Sequence, residues 1–181
     1  MSFHEGLDDL GTYYQIRKVD GTTPILFIHG VGLDHSMWSP QTDFFKNQTT
    51  IVYDLIGHGY STCTQNEINF EDFSYQIESL LQILRIQKVI IIGFSLGGLI
   101  AAHFSSTRKH YALKTVLFGT IFNRTDEQQK KAVERFINVQ ETYLNAPQQL
   151  DRWFNQDYLS SHPDIAEKIT NILNNNNHDD F

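Results

Sequence analysis

The feature that most constrains the fold is a short segment, residues 93–98 with sequence GFSLGG, set between two opposite patterns. Residues 88–94 are rich in Ile and Val and predict a buried strand, whereas the apolar side chains of 96–105 recur at helical spacing. A serine flanked by glycines at so sharp a strand-to-helix turn predicts a strained backbone and an accessible hydroxyl. We therefore predict that Ser95 is a nucleophile rather than an ordinary helix N-cap.

A nucleophile of this kind needs donors for a developing oxyanion, and the sequence offers two. The helix that begins behind Ser95 directs free N–H groups and partial positive charge at the site, so the N–H of Leu96 is the first predicted donor. The second is the N–H of Val31, in the His-Gly loop that follows the strand at 24–29. The residues that we expect to line the substrate pocket are Gly30, Gly32, Phe94 and Trp38.

Short apolar runs alternate with amphipathic stretches over the first two-thirds of the chain. This alternation predicts a mostly parallel sheet with helices on both faces, of the α/β class. A turn signal at Asp20-Gly21 also predicts that the segments 12–19 and 24–29 form an antiparallel hairpin at the edge of the sheet. The predicted strands are 12–19, 24–29, 50–54, 88–94 and 113–118, with a helix capped by Asn69 between the third and fourth.

The pattern becomes helical after residue 118, and three helices are predicted at 126–143, 148–158 and 164–173. We therefore divide the chain into a core, 1–122, and an incomplete helical cap, 123–181. Because no strand pattern follows 113–118, that strand is expected to form an open apolar edge. Such an edge predicts self-association.

Composition excludes several classes of protein. The chain has 14 Lys and Arg against 21 Asp and Glu, a net charge of −7, with no basic run, so nucleic acid and membranes are not expected partners. Its single cysteine, Cys63, forms no internal disulfide, and together with the absence of a signal-like N-terminus this favours a cytoplasmic location. No metal-ligand cluster is present, and the glycines around Ser95 do not complete a dinucleotide fingerprint.

Three markers in order resemble the α/β-hydrolase family. These are His29-Gly30, the segment DLIGHGYS at 54–61, and the turn that carries Ser95. The segment GLDHSMWSPQ at 32–41 is similar to the 3-oxoadipate enol-lactonase branch of that family. The resemblance implies a three-layer sandwich with a helical cap, and hydrolysis of a small-molecule carboxylic ester or lactone through an acyl-enzyme on Ser95, without a cofactor.

The family's acid and base normally follow the cap, in the chain order Ser, acid, His. The resemblance therefore implies that this chain corresponds to the N-terminal part of a hydrolase, with the last strands of the core, the base and the acid missing. None of the histidines fits the base: His29 and His58 belong to structural loops, His103 points away from Ser95, and His162 precedes a helix in the cap. His35 is predicted to lie beside the oxyanion loop, and His178 lies in the polar tail.

Two other functions remain open. A hydrolase shell without base and acid would be catalytically silent, and would bind a ligand under its cap without turnover. An acyltransferase or perhydrolase would use the same Ser95. Trp153 and Phe154 either roof the site or, as we favour, pack in the core of the cap.

Overall fold

The computed structural model describes residues 2–64, 67–137 and 146–175, and within these a single mixed β-sheet forms the centre of the molecule. The strands described are β1 (Ser2–Leu7), β2 (Tyr13–Lys18), β3 (Ile25–Ile28), β4 (Thr50–Tyr53), β5 (Val89–Phe94) and β6 (Ala112–Phe118). The helices described are α1 (Ser39–Phe44), α2 (Phe70–Ile83), α3 (Leu96–Thr107), α4 (Asp126–Ile137), α5 (Ala146–Trp153), α6 (Gln156–Ser161) and α7 (Pro163–Asn175), with a 3₁₀ turn at His35–Trp38.

The strand order across the sheet is β1-β2-β4-β3-β5-β6. The four parallel strands are β4, β3, β5 and β6, and β2 pairs with β4 in the antiparallel direction. Helices α2 and α3 cover one face, and the 3₁₀ turn and α1 lie on the other. The predicted α/β class, a mostly parallel sheet between helical layers, is confirmed.

The two faces of the sheet have separate apolar cores. The larger core packs side chains of β3, β4 and β5 against α2 and α3, and includes Ile77, Ile91 and Phe104, which have no exposed surface. The smaller core lies under the 3₁₀ turn, where Trp38 packs on Phe27 with 5.1 Å between the ring centroids. Strands β3 and β4 are buried along their whole length, as their continuous apolar sequences require.

The predicted hairpin between 12–19 and 24–29 is wrong. Strand β2 pairs instead with β1, which was not predicted, and with β4. The β1–β2 connection closes at Asp8, whose carboxylate accepts the N–H groups of Leu10 and Thr12. The chain after Asp20-Gly21 crosses to the interior of the sheet, because the wholly apolar β3 buries both of its faces there.

The helical part departs from prediction at one point. The helix predicted at 148–158 is two helices, α5 and α6, because Asn155 caps α6 by accepting the N–H of Tyr158 at 2.7 Å. The predicted helix at 164–173 corresponds to α7, and α4 corresponds to the first part of 126–143; its last residues, 138–143, and His178 lie outside the described residues. Trp153 is 37% exposed and does not form a cap core, whereas Phe154 is half-buried and stacks on Tyr158.

In the part of the chain that the structure describes, no helix has both the length and the apolar character needed to cross a membrane.

Candidate active site

Ser95 stands at the junction of β5 and α3 in a conformation that L-residues rarely adopt. Its φ is +53° and its ψ is −114°, although it is the N-cap residue of α3. The side chain makes no capping hydrogen bond to the helix behind it. A backbone of this kind costs about 1–3 kcal/mol and persists only where neighbouring structure enforces it. The hydroxyl of Ser95 is therefore held in a strained turn and is not used as a helix cap.

The flanking glycines are what allow the turn to be so tight. A Cβ at Gly93 would lie 2.1 Å from the carbonyl oxygen of Gly97. A Cβ at Gly97 would lie 2.3 Å from the carbonyl oxygen of Ile28, on the neighbouring strand β3. Both obstacles are backbone atoms, so any side chain at these positions would push α3 away from the sheet.

Two hydrogen bonds tie Ser95 to the end of β6. The N–H of Ser95 donates to the carbonyl oxygen of Phe118 at 2.9 Å. The Thr120 hydroxyl donates to the carbonyl oxygen of Ser95 at 2.8 Å. The strained turn is therefore fixed by the segment that leaves β6, in addition to its own strand and helix.

The loop after β3 reaches Ser95 from the other side. A Cβ at Gly30 would lie 3.3 Å from the Cβ of Ser95 and 3.1 Å from the ring of Phe94. Gly30 thus brings the backbone of this loop against the serine. Of the predicted site residues, the structure brings together Gly30, Ser95 and Phe94, with Leu96 following in the first turn of α3.

The described contacts of Trp38 and Gly32 are with residues other than Ser95. The Trp38 side chain is 4% exposed and packs on Phe27 in the smaller core, so it supports the loop from below. Gly32 faces the helical part, where its Cβ would lie 3.6 Å from Leu173 of α7. Phe94 is half-buried, with its ring centroid 5.7 Å from that of Phe118.

His29 fixes the loop from inside the protein. Its Nε2 accepts the N–H of Leu55 at 2.9 Å, so the proton on Nδ1 is donated to the carbonyl oxygen of Gly30 at 2.8 Å. Burial, with the nearby ring of His58, lowers the pKa of His29 to about 3. His29 is therefore neutral at physiological pH and joins the loop after β3 to the loop after β4.

Asp54, at the end of β4, organises the next loop. One carboxylate oxygen accepts both the N–H of His35 at 2.7 Å and its Nδ1–H at 2.8 Å. The other accepts the N–H of Tyr60 at 2.9 Å. Burial alone lowers the pKa of His35, but the hydrogen bond and charge of Asp54 outweigh it, so the pKa is raised. The sequence identified the segment that contains Asp54 without predicting this ion pair.

Helix α7 is fastened to the same loop. The Lys168 ammonium donates to the carbonyl oxygen of Ser36 at 2.8 Å and to the hydroxyl of Ser39. A polar cleft of about 410 Å³ opens beside this contact, between α7 and the loop, with Asp34 and Tyr60 in its wall. Sequence reasoning missed Lys168, because its partners lie far away in the chain.

The histidines described near the sheet are engaged away from Ser95. His58 donates from Nδ1 to the carbonyl oxygen of Ile56, and His103 pairs with the Ser74 hydroxyl at 2.8 Å. His162 is exposed and bonds to its own helix through the carbonyl oxygen of Tyr158. Within residues 2–64, 67–137 and 146–175, no cluster of three or more His, Cys, Asp or Glu side chains could hold a metal ion.

Comparison with known proteins places this arrangement among hydrolases. A sequence model of the alpha/beta hydrolase fold matches residues 23–176. The chain is 29% identical over 137 residues to the (E)-2-((N-methylformamido)methylene)succinate hydrolase of Acinetobacter baylyi, covering 75% of this chain and 52% of that protein. It is 25% identical over 154 residues to 3-oxoadipate enol-lactonase 2 of the same organism, covering 82% of this chain and 56% of that protein.

Solved structures agree on the fold. The enol-lactonase of Burkholderia xenovorans LB400 superposes with a TM-score of 0.80 at 22% identity, covering 92% of this chain and 65% of that one. The predicted resemblance to the enol-lactonase branch is thus confirmed as similarity in sequence and in fold. The chain spans about half the length of the curated relatives that it matches.

Proposed function

This chain belongs to the alpha/beta hydrolase fold family, and we propose that it provides the nucleophile and oxyanion hole of a serine hydrolase acting on small carboxylic esters or lactones. The observation that carries the proposal is the strained Ser95, held between Gly30 on one side and Phe118 and Thr120 on the other. A backbone strained in this way and fixed by three segments of the chain is typical of a residue whose position matters for chemistry.

In the proposed reaction, the Ser95 oxygen attacks the substrate carbonyl carbon and forms a tetrahedral intermediate with a negatively charged oxygen. The N–H groups of Leu96 and Val31 donate to that oxygen, and the N-terminus of α3 adds partial positive charge. Each donor contributes about 3–4 kcal/mol to stabilising the transition state. Loss of the alcohol leaves an acyl-enzyme; in a lactone the alcohol stays attached to the acyl group. Water then releases the acid.

The general base and its acid are proposed to come from outside residues 1–181. His29 is buried and neutral, His35 is paired with Asp54, and His103 is paired with Ser74. These contacts leave none of the three oriented to accept the Ser95 proton. A histidine supplied by another segment would take that proton and later return it to the leaving group.

The substrate class is supported by the relatives. Two proteins similar to this chain are named a hydrolase and an enol-lactonase, and a similar structure is an enol-lactonase. The half-buried Phe94 beside Ser95 offers an apolar wall suited to a small acyl group. Trp38 supports the oxyanion loop from below in this proposal and does not touch the substrate.

Because the described histidines near the sheet are hydrogen-bonded to residues other than Ser95, a second candidate is also favoured. This is a catalytically silent protein of the hydrolase fold that binds a ligand without turnover. The intact mass of the 21.0 kDa chain, measured during a long incubation with an excess of a fluorophosphonate, separates the two. Without a base we expect slow formation of a single adduct, because an oxyanion hole alone still accelerates attack by about 10³–10⁴ over water.

The adduct should be lost in Ser95→Ala and kept in Ser106→Ala, which removes an exposed hydroxyl from the same helix. An adduct that persists in Ser95→Ala would show a different nucleophile. No adduct after prolonged exposure would support the catalytically silent protein.

A further inference from the structure

Residues 118–120 hold Ser95 at both of its ends. The carbonyl oxygen of Phe118 accepts the N–H of Ser95 at 2.9 Å, and the Thr120 hydroxyl donates to the carbonyl oxygen of Ser95 at 2.8 Å. Gly119 between them has a φ of +58°, and a Cβ there would lie 3.0 Å from the ring of Phe94. The turn at this glycine lets the backbone of Phe118 and the side chain of Thr120 reach the same residue.

The first turn of α3 leaves room for the Thr120 side chain. A Cβ at Gly98 would lie 2.7 Å from the Cβ of Thr120 and 3.0 Å from its hydroxyl oxygen. The next nearest atom, the carbonyl oxygen of Gly93, would lie further away, at 3.2 Å. Glycine costs a helix more than any residue except proline, so a buried glycine here needs a reason. The seat that it provides for Thr120 is such a reason.

The carbonyl that Thr120 binds belongs to the same peptide group as the N–H of Leu96. A peptide group is planar and trans, so its C=O and N–H bonds point in opposite directions. A hydrogen bond that fixes the carbonyl oxygen of Ser95 therefore also fixes the direction of the Leu96 N–H. In the function proposed above, this N–H is a donor to the oxyanion.

The other hydrogen bonds to this carbonyl come from α3 itself. The N–H groups of Gly98 and Leu99 donate to it at 3.0 Å and 3.3 Å. These bonds tie the peptide group to its own helix and move with that helix. The Thr120 hydroxyl reaches the same oxygen from the segment that follows β6, so it ties the peptide group to the sheet.

We propose that Thr120 is a positioning residue, whose hydroxyl holds the Ser95–Leu96 peptide group so that the Leu96 N–H points to the place where the oxyanion forms. The inference rests on the proposed function, in which Leu96 supplies that donor. Thr120 contacts neither the substrate nor the reacting atoms and acts through the peptide group. Loss of a whole oxyanion donor costs about 10²–10³ in rate, so loosening one donor should cost less, about 10-fold.

A purely structural role for the same hydroxyl would be to fasten α3 to β6. The chain offers a matched control, because the hydroxyls of Ser105 on α3 and Thr115 on β6 are hydrogen-bonded at 2.6 Å. This second tie joins the same helix to the same strand, about three turns further along α3. Breaking it removes a threonine hydroxyl from the α3–β6 contact without touching the Ser95–Leu96 peptide group.

The test compares three variants with the unchanged chain. Thr120→Val keeps the shape of the side chain and removes the donor, Thr120→Ser keeps the donor, and Thr115→Val breaks the second tie. The first measurement is the NMR order parameter of the Leu96 N–H, which needs no reaction. The second is the concentration dependence of fluorophosphonate labelling of Ser95, followed by intact mass. Urea unfolding establishes that each variant is folded under the assay conditions.

We expect the order parameter of the Leu96 N–H to fall from about 0.85 towards 0.6 in Thr120→Val alone. The limiting rate of labelling should fall about 10-fold in Thr120→Val, with the half-saturating concentration unchanged, because an oxyanion donor acts in the transition state. Thr120→Ser should restore the rate and the order parameter. Thr115→Val should leave both at the values of the unchanged chain.

Three outcomes would overturn the proposal. An unchanged order parameter in Thr120→Val would show that the hydroxyl does not hold the peptide group. Equal losses in Thr120→Val and Thr115→Val would reduce the hydroxyl to a tie between α3 and β6, and a failure of Thr120→Ser to restore either readout would exclude the hydrogen bond as the cause. If Thr120→Val does not fold, Gly98→Ala takes its place, because the added Cβ displaces the Thr120 side chain.

This proposal and the proposed function can fail separately. Labelling of Ser95 at the same rate in Thr120→Val and the unchanged chain would retain the nucleophile and overturn the role of Thr120. If Ser95 is labelled in none of the proteins, the proposed nucleophile fails, and the order parameter still decides whether Thr120 holds the Leu96 N–H: a fall confined to Thr120→Val supports it, and no fall overturns it.

Discussion

The carboxyl edge of the sheet has two flanks, which differ in how many of their polar groups are paired and how much apolar surface they expose. The β4 flank consists of the loops after β3 and β4, and the β6 flank consists of the end of β6 and the segment up to Phe122. On the β4 flank, the buried Asp54 accepts three hydrogen bonds from His35 and Tyr60, and His29 joins two loops. On the β6 flank, Phe118 and Phe122 expose most or all of their side chains. Ser95 lies between the two flanks, and its N–H bonds to the open one.

This difference bears on the site proposed around Ser95. The β4 flank holds the loop that carries Gly30 and Val31 and keeps it against Ser95. In the proposed reaction the N–H of Val31 in this loop donates to the oxyanion, and such a donor is most effective when it is rigid before the substrate arrives. The molecule thus combines an ordered, hydrogen-bonded β4 flank with an exposed apolar β6 flank.

The largest expected effect tests how strongly the β4 flank is fixed. Asp54→Ala leaves the buried N–H and imidazole of His35 and the part-buried N–H of Tyr60 without their acceptor. Removing one partner of a buried ion pair costs about 3–5 kcal/mol, so the free energy of unfolding in urea should fall by that amount. The control is Asp43→Ala, whose carboxylate is 80% exposed and should change stability by no more than about 0.5 kcal/mol. Equal effects of the two variants would remove the contrast between the flanks.

The next effect concerns pH on the same flank. Burial lowers the pKa of His58 to about 4, so between about pH 6.5 and 4 the unfolded chain binds a proton that the folded chain does not. The contribution of a neutral His58 is therefore complete above pH 6.5 and is lost as the pH falls, at about 1.4 kcal/mol per pH unit. As the pH falls from 6.5, the free energy of unfolding of His58→Gln should therefore decrease by about 1.4 kcal/mol less per pH unit than that of the unchanged protein. Urea unfolding at pH 7, 5.5 and 4.5 measures both. Parallel pH profiles for the two proteins would contradict a buried neutral histidine.

A smaller effect concerns the contact that holds α7 to the β4 flank. Lys168→Met keeps the apolar stem but removes the bonds to Ser36 and Ser39, which should cost about 1–2 kcal/mol because the donor is charged and partly buried. Lys131→Met removes an exposed pair with Glu127 on α4 and should cost about 0.5 kcal/mol or less. Unfolding in urea measures both. If Lys168→Met costs no more than Lys131→Met, the helix is not fastened to the loop through this side chain.

The sequence predicted the parts of this molecule whose signal is local. The strand, glycine turn and helix around Ser95 occupy consecutive residues, and each constrains the next. The exposed edge at β6 could also be predicted, because no strand pattern follows it. The β1–β2 hairpin was missed because β1 is exposed on both sides and shows no apolar alternation.

The contacts that complete the β4 flank could not be predicted, for a different reason. Lys168 meets Ser36 across 132 positions of sequence, and His35 meets Asp54 across 19. Neither pair has a characteristic spacing, since only the packed fold brings the partners together. His35 was expected in the loop after β3, but its partner Asp54 has no sequence signal beyond an acidic residue after a strand.

The smallest expected effect is the most direct measure of the open flank. Val116 of β6 is 47% exposed, whereas Ile91 of β5 is fully buried. Val116→Ala removes methyl groups that already contact water, so the free energy of unfolding should change by no more than about 0.5 kcal/mol. Ile91→Ala leaves a cavity in the larger core and should cost about 2–5 kcal/mol. Both variants are measured by urea unfolding at low protein concentration, so that self-association does not add to stability. A cost above about 1.5 kcal/mol for Val116→Ala would mean that β6 is already covered in solution, because only a buried side chain loses that much on truncation.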